Sequence, residues 1–90
     1  MTIALVLESD GALRRQIVDA LSEEGYSALA CETVDAFSRI VAQRNIDVFL
    51  IDARLPDGDG VQLVKELRSE SDAGIVLMAC TSDEVDVVLD

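Results

Sequence analysis

The segment VFLIDARLPDGDG ends an apolar run on a carboxylate, Asp52. Pro56 and Gly60 lie in the loop that follows, where they restrict and free the backbone respectively, so the loop should bend away and leave Asp52 accessible. A carboxylate at such a place can bind a hard divalent cation, or it can simply cap the next turn. Asp57 and Asp59 are expected to be turn residues, and Asp59 should cap the following helix.

A second acidic group follows the first apolar run, where Glu8, Ser9 and Asp10 are consecutive. The carboxyl ends of parallel strands meet at one edge of a sheet, so Glu8, with Asp10 nearby, should share a pocket with Asp52. Neighbouring strands lie about 4.8 Å apart, and carboxylates at that distance repel each other unless a cation lies between them. Mg²⁺ fits such a pocket, because it is held by one or two carboxylates, a backbone carbonyl and waters.

Hydrophobic periodicity predicts the elements that must position these residues. Compact apolar runs predict four buried strands, at residues 2–7, 26–31, 47–52 and 74–79. Apolar residues at helical spacing predict a helix after each strand. The expected N-caps of the first three helices are Asp10, Thr33 and Asp59, and Gly25 should end the first. A fourth helix is predicted over the sequence DEVDVVLD, with Thr81 or Ser82 as its cap.

The strict alternation of strand and helix predicts an α/β fold with helices on both faces of a parallel sheet. The expected architecture is flavodoxin-like and doubly wound, with strand order 2-1-3-4. In that order the two cysteines, Cys31 and Cys80, lie three strand spacings apart, about 14 Å. A disulfide needs Cα atoms within about 7 Å, so we expect free thiols and a cytoplasmic protein.

Composition excludes several classes of function. The chain has 90 residues, enough for one domain, and a formal net charge of −11, which disfavours direct binding to nucleic acid or to anionic lipid. It contains no histidine, which excludes Ser-His-Asp catalysis, histidine-bound metals and an internal phosphohistidine relay. No apolar run approaches the roughly 20 residues of a membrane span.

The motif IDARLPDGDG resembles the phosphoacceptor signature of two-component response-regulator receiver domains. The segment ALVLESDGALRR is similar to the first strand and acidic turn of that family, and GIVLMACTSDEVD to its fourth strand and the loop that follows. The resemblance implies that Asp52 accepts a phosphoryl group from a sensor histidine kinase or a histidine phosphotransfer protein. It also implies Mg²⁺ held by Asp52, by Glu8 and by the backbone carbonyl of Arg54. Such a domain is not an enzyme beyond its own phosphotransfer and slow dephosphorylation, and it controls a downstream output such as transcription.

The chain departs from the family pattern at two site positions. Ser9 stands where the family has a second carboxylate, so either Ser9 or Asp10 would complete the metal site. Ala79 stands at the switch position, where the family usually has a hydroxyl that contacts the phosphoryl group. Thr81, two residues later, is the alternative at that position. These departures leave open a pseudo-receiver, an interaction module that works without phosphorylation.

A third departure is the absence of the family's fifth strand, with its lysine, and of its fifth helix. Residues 1–90 are therefore expected to form about three-quarters of a receiver domain, incomplete at the C-terminus, with the fourth strand as an exposed edge. Disorder or proteolysis beyond Asp90, and pairing with a second chain as in a homodimer, are the alternatives to a fragment. A hydrolase with an aspartate nucleophile is disfavoured, because Arg54 stands where such enzymes usually place a second acid.

Overall fold

The computed structural model describes the backbone of residues 1–81 and 84–89, and the side chains of residues 1–78. Helices and strands alternate over most of this chain, as the periodicity predicts. The elements are β1 (Ile3–Leu7), α1 (Gly11–Glu23), β2 (Ser27–Cys31), α2 (Val34–Gln43), β3 (Val48–Asp52), β4 (Arg54–Leu55), β5 (Gly58–Asp59), α3 (Gly60–Glu70), β6 (Gly74–Thr81) and β7 (Glu84–Leu89).

The main sheet has the order β2-β1-β3-β6-β7. The pairs β1–β2, β1–β3 and β3–β6 are parallel, which confirms the predicted order 2-1-3-4 with β6 as the fourth long strand. The short strands β4 and β5 form a separate antiparallel hairpin immediately after β3. The flavodoxin-like arrangement therefore places the ends of β1 and β3 side by side at one edge of the sheet.

The prediction of a fourth helix is wrong, because residues Glu84–Leu89 form the strand β7. This strand pairs antiparallel with β6, from Val76 opposite Leu89 to Thr81 opposite Glu84. Three of its six residues are valines, and β-branched residues favour strands over helices. Pairing also satisfies backbone N–H and C=O groups that β6 would otherwise expose at a sheet edge. The expectation that the fourth strand forms an exposed edge is therefore also wrong. Ser82, one of the two proposed caps, lies outside the described residues.

The main core lies on the face of the sheet that α2 and α3 cover. Strand residues on this face pack against one side of each helix; the buried members are Leu5, Leu7, Cys31, Phe37, Phe49, Ile51, Val64, Leu67 and Ile75. The Phe37 and Phe49 rings meet with centroids 5.6 Å apart at an interplanar angle of 49°, within the range of favourable aromatic pairs. Cys31 is a free buried thiol, as predicted.

The opposite face of the sheet is covered less completely. Ala4 and Val6 point to this face, by strand alternation, and both are fully buried. Helix α1 packs against β1 and β2, yet its apolar residues, such as Leu13 and Ile17, are only half-buried. The core that holds β1 and β3 in place is therefore built mainly from α2 and α3.

The predicted helix ends are confirmed. Asp10 caps α1, Thr33 caps α2 and Asp59 caps α3, each accepting a hydrogen bond from a backbone N–H in the first turn. Gly25 follows α1 with a φ of 93°, a left-handed conformation that favours glycine. These local signals set where α1 and α3 begin, and hence where the residues before them lie.

Candidate functional site

Two buried carboxylates meet where β1 and β3 end. Asp52 is the last residue of β3, and Glu8 follows β1 directly, one step beyond the register pair Leu7–Ile51. Their exposed fractions are 3% for Glu8 and 5% for Asp52, and they are the buried charged residues of the described side chains. The structure thus brings together the two acids that the sequence predicts to share a pocket.

The Asp52 carboxylate is held by donors on both of its oxygens. The Arg54 backbone N–H donates to Oδ1 at 3.0 Å. The Ser9 hydroxyl donates to Oδ2 at 3.0 Å, and the Ser9 backbone N–H approaches the same oxygen at 3.4 Å. These contacts hold the side chain in one orientation at the sheet edge.

The Glu8 carboxylate is less well satisfied than that of Asp52. Its Oε2 accepts a hydrogen bond from the Asp10 backbone N–H at 3.1 Å, whereas its buried Oε1 has no hydrogen-bond partner. Burial, and then the nearby Asp52 carboxyl, raise the pKa of Glu8 to about 7. An acceptor oxygen without a donor, beside a second carboxylate, is a place where a cation or a proton is needed.

The Asp10 side chain serves as the N-cap of helix α1. Its Oδ1 accepts hydrogen bonds from the Ala12 and Leu13 backbone N–H groups, at 2.9 and 3.1 Å. Arg14, one turn further on, donates from Nη1 to the Glu8 carbonyl at 2.9 Å and lies 3.7 Å from Glu32. Hydrogen bonds made by the Asp10 and Arg14 side chains therefore stabilise the turn between β1 and α1.

Gly60 allows the loop after Asp52 to return close to the strand. A Cβ atom on Gly60 would overlap the Asp52 carbonyl and would lie 2.8 Å from the Ala53 Cα. The Gly60 N–H donates to the Ala53 carbonyl at 3.1 Å. Pro56 lies at the exposed tip of the β4–β5 hairpin. Gly60 thus has a site-forming role, because any side chain there would displace the backbone of Asp52.

Asp57 has a role that the sequence did not reveal. Its Oδ1 accepts from the Val34 N–H at 2.8 Å and its Oδ2 from the Asp35 N–H at 3.1 Å. These bonds join the β4–β5 hairpin to the first turn of α2, and they hold the pKa of Asp57 below its ordinary value. No local pattern marks a cap supplied from more than 20 residues away.

Two of the predicted site positions lie outside the described side chains. Ala79 and Thr81, the switch candidates, belong to β6, whose backbone places Met78 opposite Asp52. The Ala53 N–H donates to the Met78 carbonyl at 2.7 Å, so Ala79 directly follows the residue paired with the end of β3. The side-chain role of either residue stays a prediction.

Among the described side chains of residues 1–78, no group of three or more His, Cys, Asp or Glu residues lies close enough together to hold a metal ion. Among the described helices, none has the length and apolar character needed to cross a membrane.

Comparison with known proteins is consistent across sequence and structure. The family model described as the response regulator receiver domain matches residues 4–90. The chain is 32% identical over 88 residues to the KDP operon transcriptional regulatory protein KdpE of Escherichia coli, with 98% of this chain and 39% of KdpE covered. It is 32% identical over 90 residues to the transcriptional regulatory protein AruR of Pseudomonas aeruginosa, with 94% of this chain and 37% of AruR covered. The chain thus spans less than two-fifths of the length of these relatives.

Solved structures show the same fold. The MaeR response regulator bound to beryllium trifluoride is 25% identical with a TM-score of 0.81, over 92% of this chain and 70% of MaeR. The complex of histidine kinase ThkA with response regulator protein TrrA gives 26% identity and a TM-score of 0.81, over 91% of this chain and 71% of the matched one. With its flavodoxin-like sheet and the family match over residues 4–90, this chain belongs to the response regulator receiver domain family.

Proposed function

We propose that this receiver domain takes a phosphoryl group from a phosphohistidine partner onto Asp52. One observation carries the proposal: Asp52 and Glu8 form a buried carboxylate pair at the carboxyl edge of the parallel sheet, with Glu8 Oε1 lacking a partner. Ligands of open α/β folds bind outside this edge. We propose that a partner protein approaches this edge past the exposed Pro56 loop.

In the proposed reaction an Asp52 carboxylate oxygen attacks the phosphorus of the donor. A P–O bond forms to Asp52 while the P–N bond of the phosphohistidine breaks, and the electron pair of that bond stays on the imidazole nitrogen. The product is an acyl phosphate. Such transfer depends on in-line positioning and charge neutralisation more than on activation of the nucleophile. On the protein side, the Arg54 N–H holds Asp52 Oδ1 and so positions the carboxylate.

The residues at the edge fit Mg²⁺. Glu8 and Asp52 offer carboxylate oxygens, Glu8 Oε1 has no hydrogen-bond partner, and a hard cation prefers oxygen ligands with several waters retained. Glu8, Asp52 and the Arg54 backbone carbonyl would hold the cation, which supplies neutralisation of the phosphoryl charge. Asp10 is a weaker candidate ligand than Glu8 or Asp52, because its Oδ1 already accepts two helix N–H groups.

The wider role follows from relatives and from charge. KdpE and AruR are named as transcriptional regulators, so we propose that phosphorylation here controls a transcriptional output carried elsewhere. The ThkA–TrrA complex supports a sensor histidine kinase as the partner. A net charge of −11 makes it unfavourable for this segment itself to bind nucleic acid or anionic membranes. We place the protein in the cytoplasm, where the free Cys31 thiol is stable.

Phosphorylation of the chain with acetyl phosphate and Mg²⁺, followed by intact-mass measurement, tests the proposal. We expect one phosphoryl adduct on the wild type and none on Asp52→Asn, which is nearly isosteric but cannot form the acyl phosphate. Asp59→Asn is the matched control in the same loop, because asparagine also caps helices well, and it should label like the wild type. An adduct that persists in Asp52→Asn, or a wild type that never labels, would contradict the proposal.

A second candidate function is the pseudo-receiver, and Ser9 favours it because a neutral group occupies the position of a second acid. Such a module would keep the fold and bind partners without accepting a phosphoryl group. The same experiment separates the two: Mg²⁺-dependent labelling of Asp52 supports the receiver. Kinase binding that is unchanged by Asp52→Asn, together with no labelling, supports the pseudo-receiver.

A further inference from the structure

Ser9 donates a side-chain hydrogen bond to Asp52. Its hydroxyl lies 3.0 Å from Asp52 Oδ2, and its backbone N–H lies 3.4 Å from the same oxygen, near the outer limit of a hydrogen bond. The other Asp52 oxygen accepts from the Arg54 backbone. Removing the Ser9 hydroxyl would therefore leave Oδ2 with only a weak backbone donor.

The hydroxyl changes the electrostatics of the pair in a way that a carboxylate could not. An ionised acid at residue 9 would accept hydrogen bonds only and would repel Asp52. A hydroxyl can donate, and a hydrogen bond to an ionised acceptor is roughly twice as strong as one between neutral groups. Ser9 thus stabilises the Asp52 carboxylate without any cation, next to a buried Glu8 that has no donor for Oε1.

We propose that Ser9 is a latch on Asp52: its hydroxyl holds Oδ2 in the unphosphorylated site and must release that oxygen before a divalent cation or a phosphoryl group can use it. Ser9 is in this sense a positioning residue, acting through Asp52. The proposal rests on the proposed function of Asp52, and it opposes the alternative that the Ser9 hydroxyl is itself a cation ligand.

The two roles predict opposite effects of removing the hydroxyl. If Ser9 is a ligand, Ser9→Ala loses an oxygen and binds the cation more weakly. If Ser9 is a latch, Ser9→Ala removes a competing donor and leaves Asp52 and Glu8 to repel each other until a cation binds, so binding becomes tighter. A hydrogen bond of ordinary net strength corresponds to a change of about three- to tenfold in affinity.

Calorimetric titration with MgCl₂, repeated with MnCl₂, measures the effect without any phosphorylation. We expect Ser9→Ala to bind about three- to tenfold more tightly than the wild type. Ser9→Thr, which keeps a hydroxyl, should change affinity by less than about twofold. Ser69→Ala is the matched control, because the Ser69 hydroxyl donates to the Glu66 carbonyl on the exposed side of α3. Ser9→Cys, whose thiol is a weaker donor, should fall between wild type and Ser9→Ala and serves if the alanine variant unfolds.

A double-variant cycle shows whether the effect passes through Asp52. In the Asp52→Asn background, Ser9→Ala should change cation affinity by less than about twofold, since the charged oxygen that Ser9 holds is replaced by a neutral amide. Unchanged or weaker binding in Ser9→Ala alone overturns the latch, as does a gain that persists with Asp52→Asn. Failure of Asp52 to label with acetyl phosphate would instead count against the proposed function, so the two failures are distinct.

Discussion

At the scale of single residues, the site depends on how unequally two neighbouring carboxylates are satisfied. Asp52 has a donor on each oxygen, whereas Glu8 has one donor and one buried oxygen without a partner. Burying an acceptor without a donor is costly, and a proton or a cation relieves that cost. Glu8 is therefore the member of the pair whose state should respond most to pH and to Mg²⁺.

The raised pKa of Glu8 predicts how stability depends on pH without a metal. Below the ordinary value of 4.5 the folded and unfolded chains both hold the proton; between 4.5 and about 7 only the folded chain holds it. The contribution of Glu8 to stability is thus fully present below 4.5 and is lost as the pH rises through about 7. Urea unfolding across this range should show the decline, and Glu8→Gln should flatten it.

Mg²⁺ should offset the loss of stability at higher pH, because it binds the ionised form of Glu8. We expect added Mg²⁺ to raise the midpoint of thermal unfolding more at about pH 8 than at about pH 5.5. Glu66→Gln, at an exposed position on α3, is the control and should keep the wild-type dependence on pH and on Mg²⁺. An unfolding free energy of Glu8→Gln that declines as steeply as that of the wild type would contradict the assignment to Glu8.

At the scale of elements, the β4–β5 hairpin connects the site to α2. The hairpin begins two residues after Asp52, where the Arg54 N–H contacts the carboxylate, and Asp57 at its far end accepts from the first two N–H groups of α2. A carboxylate at a helix N-terminus satisfies open donors and interacts favourably with the helix dipole. The hairpin is therefore held at both ends by side-chain to backbone bonds.

Asp57→Ala should destabilise the chain through the loss of these two bonds. The lowered pKa of Asp57, caused first by the Val34 N–H, means that its contribution is present above the ordinary value of 3.8 and is lost as the pH falls through the lower folded value. We expect the wild type to be more stable than Asp57→Ala near neutral pH, and the difference to shrink in acid. Chemical unfolding of both variants as a function of pH measures this.

Asp72→Ala, in the exposed loop after α3, provides the comparison for Asp57→Ala. This substitution should cost little stability near neutral pH or in acid, because surface substitutions away from helix caps usually have small effects. Equal stability of Asp57→Ala and the wild type near neutral pH would show that the hairpin does not depend on this contact.

At the scale of the whole molecule, the sheet has one parallel part and one antiparallel edge. The parallel strands β2, β1, β3 and β6 bring the acidic pair together, and β7 pairs along β6 on the side away from β3. Antiparallel pairing needs only a short connection, whereas a parallel partner needs a crossover of a dozen or more residues. A short connection after Thr81 therefore suits an antiparallel strand.

NMR spectroscopy tests the strand β7 directly. We expect strand-like Cα and Cβ shifts over residues 84–89, and cross-strand contacts between the backbones of Met78 and Val87, which are paired in the register. Residues 60–70, in α3, provide the internal helical reference. Helical shifts over residues 84–89 would instead restore the last helix that periodicity predicts.

Local patterns in the sequence determined most of the fold. Runs such as IALVL and VFLID predicted the parallel strands, and Asp10, Thr33 and Asp59 predicted the helix starts, because buried strands and N-caps depend on nearby residues. The same local reading failed at residues 84–89. There, the tendency of valine to form strands and the open edge of β6 outweighed a possible helix cap.

The sequence by itself also determined that Glu8 and Asp52 share one site, since parallel strands that neighbour each other end at the same edge. Only the tertiary structure decided what each group contacts. The Ser9 bond to Asp52 and the Asp57 bonds to α2 join residues that are 43 and 22–23 positions apart. Such contacts depend on how elements pack in space, which no local spacing encodes. The tertiary structure likewise left Glu8 Oε1 without a donor, because burial is a property of the folded chain.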